Sequence, residues 1–340
     1  MASPLPFSLG DPRWLAHRLV EGSDAARFLW LPREDHASVP FLTDACLGQR
    51  PLADDVALAE CLKLPDAGGL HFLFHSAFCA STLLTRALDR PGVSMGLSEP
   101  VILNDVVGLR RRGADPRAVA RAADAATRLL ARPFGPGEAV VVKPSNILNP
   151  LAELLMALRP HARAIFLHAP LETFLISVAR KGLGCRFWVR ELLEGYLRDG
   201  AIDLGFAPED YFRQTDLQVA AVGWLAQHRI FFRLAEKLGP QRLASLDADR
   251  LAADPHTAIL AVAGHLGLTL DDTAAAEIVA GPAFHRHSKS GEAFTPATRS
   301  ASYSTAHAAH EAEIGAVMEW ARAVAASAAV PLAAPYPLLP

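Results

Sequence analysis

From residue 70 onward, short apolar runs alternate with longer amphipathic stretches. The runs at 70–75, 93–97, 138–143, 163–168 and 242–247 are brief and dominated by aliphatic and aromatic side chains. They predict strands. Helical spacing predicts helices over 81–89, 100–112, 116–131, 149–158, 171–181, 188–199 and 217–238. Ser98 and Pro100 mark the start of the second helix and Gly113 its stop. Strands alternating with helices predict a three-layer α/β/α fold around a mainly parallel central sheet. In such sheets ligands bind at the carboxyl ends of strands. Residues 1–65 have scattered prolines and mixed polarity, read as an N-terminal extension of short strands and turns packing on a main domain of 66–340.

The strand ends carry the chemistry. The first strand ends at His75, and the turn "SAFCAST" opens a helix, the layout of a phosphate-binding loop without its glycines and lysine. The first amides of a helix lack internal partners and favour an anion. A plain N-cap by Ser81 is the other reading. The second strand leads to Glu99, a general base or a solvated first-turn carboxylate. The third ends at Lys143, whose stem starts in the core and whose ammonium must emerge at the sheet edge. Ser145 and Asn146 follow and read as helix caps. The fourth strand ends at His168. Ser177 and Arg180, three apart, share a helix face and suit a second phosphate. Basic residues before Gly182 also fit an ordinary helix end.

Composition narrows the classes. Net charge is −3 over 340 residues, so no global basic field recruits nucleic acid or a membrane. The four cysteines form no C-x-x-C pair, and His285 and His287 lack a clear third ligand, so no metal is expected. Cys79 faces a helix start, which would lower its thiol pKa, though a packing role is the commoner one. Seven arginines in 110–133 read as a solvated helix face. No leader or membrane-spanning run is visible, and a cytoplasmic protein is the expectation. A metabolite kinase of the phosphate-loop class needs magnesium, a strand-end acid and a loop lysine. None of His75, Ser98, Lys143 and His168 at the first four strand ends is an aspartate, which disfavours that chemistry.

Four segments together resemble the bacterial sulfotransferase family, which takes sulfuryl groups from 3′-phosphoadenosine-5′-phosphosulfate (PAPS). They are "HSAFCASTLL", "VVVKPSNILNPLAELLMALRPHARAIFLHAPLETFLISVAR", "SLDADRLAADPHTAILAVAGHLGLTLDD" and "RHSKSG". They span roughly residues 70 to 300 in the family's order. The resemblance implies a P-loop-containing fold and transfer to a small-molecule or peptide hydroxyl or amine. It implies that the loop, Ser76 and Cys79 included, cradles the 5′-phosphosulfate through Ala80, Ser81, Thr82 and Leu83. It also implies Ser177 at the 3′-phosphate with Arg180 beside it, and Lys289 closing over the nucleotide. Glu99 would be the base, Lys143 would stabilise charge on the sulfuryl group, and His75 would substitute for a missing loop cation. The family usually has lysine or arginine where Phe78 stands, and arginine where His168 stands. A degenerate, non-catalytic nucleotide-binding or interaction protein of the same fold is therefore the alternative.

Overall fold

The computed structural model describes residues 6–66, 69–285 and 296–340. Eight strands form two sheets. β1 (Trp14–Leu19), β2 (Ala25–Trp30) and β3 (Val56–Ala57) make a small antiparallel sheet. β4 (Leu70–His75), β5 (Ser94–Ser98), β6 (Ala139–Lys143), β7 (Ala164–His168) and β8 (Leu243–Asp247) make a parallel sheet in the order β5-β6-β4-β7-β8. β4 and β7 are buried along their whole length and β6 along all but its first residue. Helices on both faces of a parallel sheet require such continuous apolar runs.

The helices used below are α1 (Ser81–Ala87), α2 (Val101–Arg111), α3 (Pro116–Leu130), α4 (Leu171–Arg180), α5 (Gly182–Arg198), α6 (Asp216–Leu238) and α7 (Pro296–Ser327). Local signals explain their ends. Asp115 accepts from the Arg117 amide with Pro116 at the first helical position. Thr215 and Gln218 form a reciprocal cap on α6, which ends at Gly239. α5 begins six residues before the expected 188, because Cys185, Val189, Leu192 and Tyr196 form one buried stripe that continues the helical period.

The chain order reverses at β4. After β4 the chain crosses to the edge strand β5 and returns through β6, and β7 then lies on the other side of β4. That reversal opens a crevice outside the carboxyl end of β4, where open sheets bind ligands. The N-terminal sheet does not stand apart: Trp14 and Phe28 share a core with Leu103 and Val106 of α2 and Ala122 and Ala126 of α3. Arg132 seals that joint. It is not on a solvated face as its arginine-rich segment suggested; its guanidinium donates to the carbonyls of Leu9, Asp11 and Trp14. Burial pulls its pKa down to about 10.

Acid should loosen this packing. Burial pulls His36 and His71 from 6.5 down to about 4. Between those values the unfolded chain binds protons that the folded chain does not. Their contribution is therefore complete above about pH 6.5 and is lost as pH falls toward 4. Moving from pH 7 to 5 should cost about 2 kcal/mol per histidine. Urea unfolding at the two pH values checks this; an unchanged midpoint would refute it.

Candidate functional site

The turn after β4 is held in a costly shape. Ala77, Phe78 and Ala80 all have positive φ, at 72°, 54° and 62°. Residues with a Cβ take this region at a cost of about 1–3 kcal/mol each, and such strain gathers at functional sites. Neighbours hold it in place. The Ser76 amide donates to the Leu167 carbonyl, and the Ser76 hydroxyl accepts from the Ala169 amide at 3.2 Å. Asn149 donates to the His75 carbonyl at 3.0 Å and to Gln227 at 2.9 Å. Ala80, not Ser81, is the N-cap of α1, and no side chain caps that end. Among the described residues, no carbonyl accepts a hydrogen bond from the amides of residues 78–83, and the Ser81 amide turns toward the Cys79 sulfur. Successive amides around a left-handed turn form an anion-binding concavity.

This turn is one wall of a cavity of about 610 Å³. Glu99 lies across from it, with φ of 52°, a fourth strained residue. Lys143 is fully buried and its Nζ lies 2.5 Å from Glu99 Oε1. The Phe41 ring lies 5.0 Å from the same ammonium. His75 Nδ1 accepts from the Ala77 amide at 3.1 Å, so in the neutral ring the proton sits on Nε2, the atom 4.0 Å from Glu99 Oε1. Glu99 Oε2 accepts no hydrogen bond among the described residues. A carboxylate thus stands at the cavity with one oxygen engaged by a cation and the other available.

Three further residues come into view here. Asn146 is 4% exposed, lines the cavity, and its Nδ2 has no partner among the described residues. Its carbonyl accepts from the Tyr196 hydroxyl at 2.7 Å, which fixes the turn. Ser145, expected as a cap, makes no side-chain cap bond and also lines the cavity. Lys181, at the junction of α4 and α5, reaches the cavity with Nζ 5.4 Å from the Phe78 ring. Phe78 itself packs against Phe174 and Trp188 at 5.7 Å and 5.3 Å.

The remaining sequence-derived residues fall as follows. Ala80, Ser81, Thr82 and Cys79 line the cavity with Glu99 and His75. Cys79 is fully buried, and burial raises its thiol pKa against the pull of Lys143, so the lowering expected from the helix start does not prevail. Ser76 and half-buried Leu83 do not line it. Ser177 is buried and donates to the Thr173 carbonyl at 3.0 Å. Ser177 and Arg180, expected at a second phosphate, do not line this cavity, while Lys181, just after α4, does. Lys289 lies outside the described residues. No group of three metal-ligating side chains occurs among the described residues, and no described helix is long and apolar enough to cross a membrane.

No protein-family profile matches the chain, and no curated protein matches it. Solved structures do. The sulfotransferase domain from the curacin biosynthetic pathway shares 16% identity over 66% of this chain and 80% of its own, with a TM-score of 0.42. A sulfotransferase from Mycobacterium avium shares 12% over 74% and 79%, at 0.43. One from Mycobacterium tuberculosis H37Rv shares 16% over 65% and 73%, at 0.41.

Proposed function

We propose that the chain transfers a sulfuryl group from PAPS to a hydroxyl or amine held in the 610 Å³ cavity. The observation that carries this reading is the run of amides at 78–83 that no carbonyl of the described residues engages, wrapped round a strained turn and lining one cavity with Glu99. The four sequence segments supply the donor's identity. The residues present fit an anionic donor: the turn offers neutral N–H groups, Ser81 and Thr82 add hydroxyls, and Lys181 adds charge at the wall. The donor supplies an already activated sulfuryl group, so no metal is required. Glu99 takes the proton of the attacking hydroxyl or amine as its oxygen or nitrogen bonds to sulfur. The electrons of the breaking sulfur–oxygen bond stay with the departing phosphate, which the turn amides hold. Asn146 Nδ2 and His75 Nε2–H are further donors for charge that develops between the two groups.

A non-catalytic nucleotide-binding protein is the second reading. Phe78 favours it, because a packed aromatic ring stands where a cation would serve the leaving group. One experiment separates the two. Adenosine 3′,5′-bisphosphate should raise the melting temperature without magnesium, and labelled PAPS should then transfer sulfate across a panel of phenols, alcohols and amines. A shift without any transfer favours the second reading. No shift at millimolar ligand removes both.

A further inference from the structure

A second cavity, of about 430 Å³, opens at the carboxyl ends of β7 and β8 and shares no lining residue with the first. Strand alternation explains the separation. His168 follows Phe166 onto the face that α6 covers, where both rings meet His228. Leu167 and Ala169 instead join the core that holds Leu84 and Ala87 of α1. The segment 332–340 roofs the cavity, pinned where the Ser245 amide donates to the Tyr336 carbonyl and the Leu338 amide donates to the Ser245 carbonyl.

Two polar atoms of its lining residues are stranded. His168 is 7% exposed and Ser245 1% exposed, and neither His168 Nδ1 nor Ser245 Oγ has a hydrogen-bond partner among the described residues. Leaving such a group unsatisfied is costly, so buried polar atoms nearly always have a partner. Trp224, also in the lining, stacks on the buried His228 at 3.4 Å, and both nitrogens of that ring are unpartnered as well. The mouth carries side-chain charges of both signs. Its two side-chain carboxylates have partners: Asp247 accepts from the Asp249 amide at 2.7 Å, and Glu172 faces His307 at 3.3 Å. Its two guanidinia, Arg250 and Arg322, have no ion pair among the described residues.

We propose that this cavity binds a small organic anion whose head group meets Arg250 and Arg322, whose apolar body lies along Trp224 and Met318, and whose far end carries a hydroxyl that bonds His168 and Ser245. A carboxylate and a phosphate ester share the required head-group chemistry. The site is independent of the transferase reading, because none of its residues belongs to the first cavity.

Calorimetric titration of the full chain tests it with four probes: 4-hydroxyphenylacetate, phenylacetate, phenyl phosphate and the uncharged 4-hydroxyphenylacetamide. One or more of the anions should bind, and the amide should bind at least about tenfold more weakly, the loss expected for a charge-assisted bond. Tighter binding of phenyl phosphate than of the carboxylates makes the occupant a phosphate ester. The exposed pair R250Q/R322Q should fold normally and weaken the anion about tenfold. S245A should remove the preference for the hydroxylated over the plain carboxylate. Failure of every anion to bind, or unchanged affinity in R250Q/R322Q, overturns the proposal.

Discussion

Replacing Glu99 by alanine should lower the unfolding free energy by about 3–5 kcal/mol, an effect far larger than its place near the surface of a cavity suggests. The reason is Lys143. Its side chain is fully buried, and Glu99 is the carboxylate that offsets its charge, at 2.5 Å. The Phe41 ring at 5.0 Å compensates only a fraction of a lost ion pair. Taking away the carboxylate bonded to a fully buried ammonium is what makes the single substitution severe. The second substitution Lys143→Met, which removes the charge and keeps an unbranched apolar stem, should therefore recover most of the loss in the Glu99→Ala background. Urea unfolding of the wild type, both single variants and the double variant closes the cycle. Additive losses would show that the pair is not coupled. Activity should behave differently. With Glu99 as the proposed proton acceptor, sulfate transfer should stay abolished in the stable double variant. Stability and turnover then report separately on one residue pair.

The five strands of the parallel sheet were legible to within a residue or so: β4, β6 and β7, buried on both faces, are largely apolar runs, and the edge strands β5 and β8 are shorter ones with serines among them. The helix starts were legible where a capping residue did the work, as at Asp115 and Thr215. The Lys143–Glu99 pair was visible only in halves. Each residue stood at a strand end, but a sequence does not say that β5 and β6 are neighbours, and their pairing of Ser98 with Lys143 is what brings the two side chains together. Asn146 and Ser145 were read as caps, since that is the commonest work of such residues before a helix. The turn that follows is a 3-10 helix without a side-chain cap, and Asn146 lines the cavity instead. Positive φ at Ala77, Phe78 and Ala80 had no sequence signal at all, because glycine is the usual marker and is absent. The buried thiol of Cys79 and the buried guanidinium of Arg132 share a cause. Local pattern speaks of helix ends and faces, while desolvation depends on what the rest of the chain lays over them.

Lys181 leads to the second large effect. Lys181→Ala should weaken adenosine 3′,5′-bisphosphate binding about tenfold, with the loss shrinking as salt rises. Arg180 was expected with Ser177 at a second phosphate; Lys181 follows the last turn of α4, immediately before Gly182 at φ 68°, and lines the cavity. Phe78 carries that ammonium at 5.4 Å, so the ring that displaced a loop cation also positions a replacement from the helix junction. Phe78→Ala should accordingly weaken the same ligand about threefold, the size of an exposed cation–π contact. The double variant should lose little more than Lys181→Ala alone, because the ring acts through the lysine. Titrations of the bisphosphate against all four proteins at two salt concentrations measure this. Equal affinity in Lys181→Ala and the wild type would remove Lys181 from the donor site. Strictly additive losses would instead make Phe78 an independent contact.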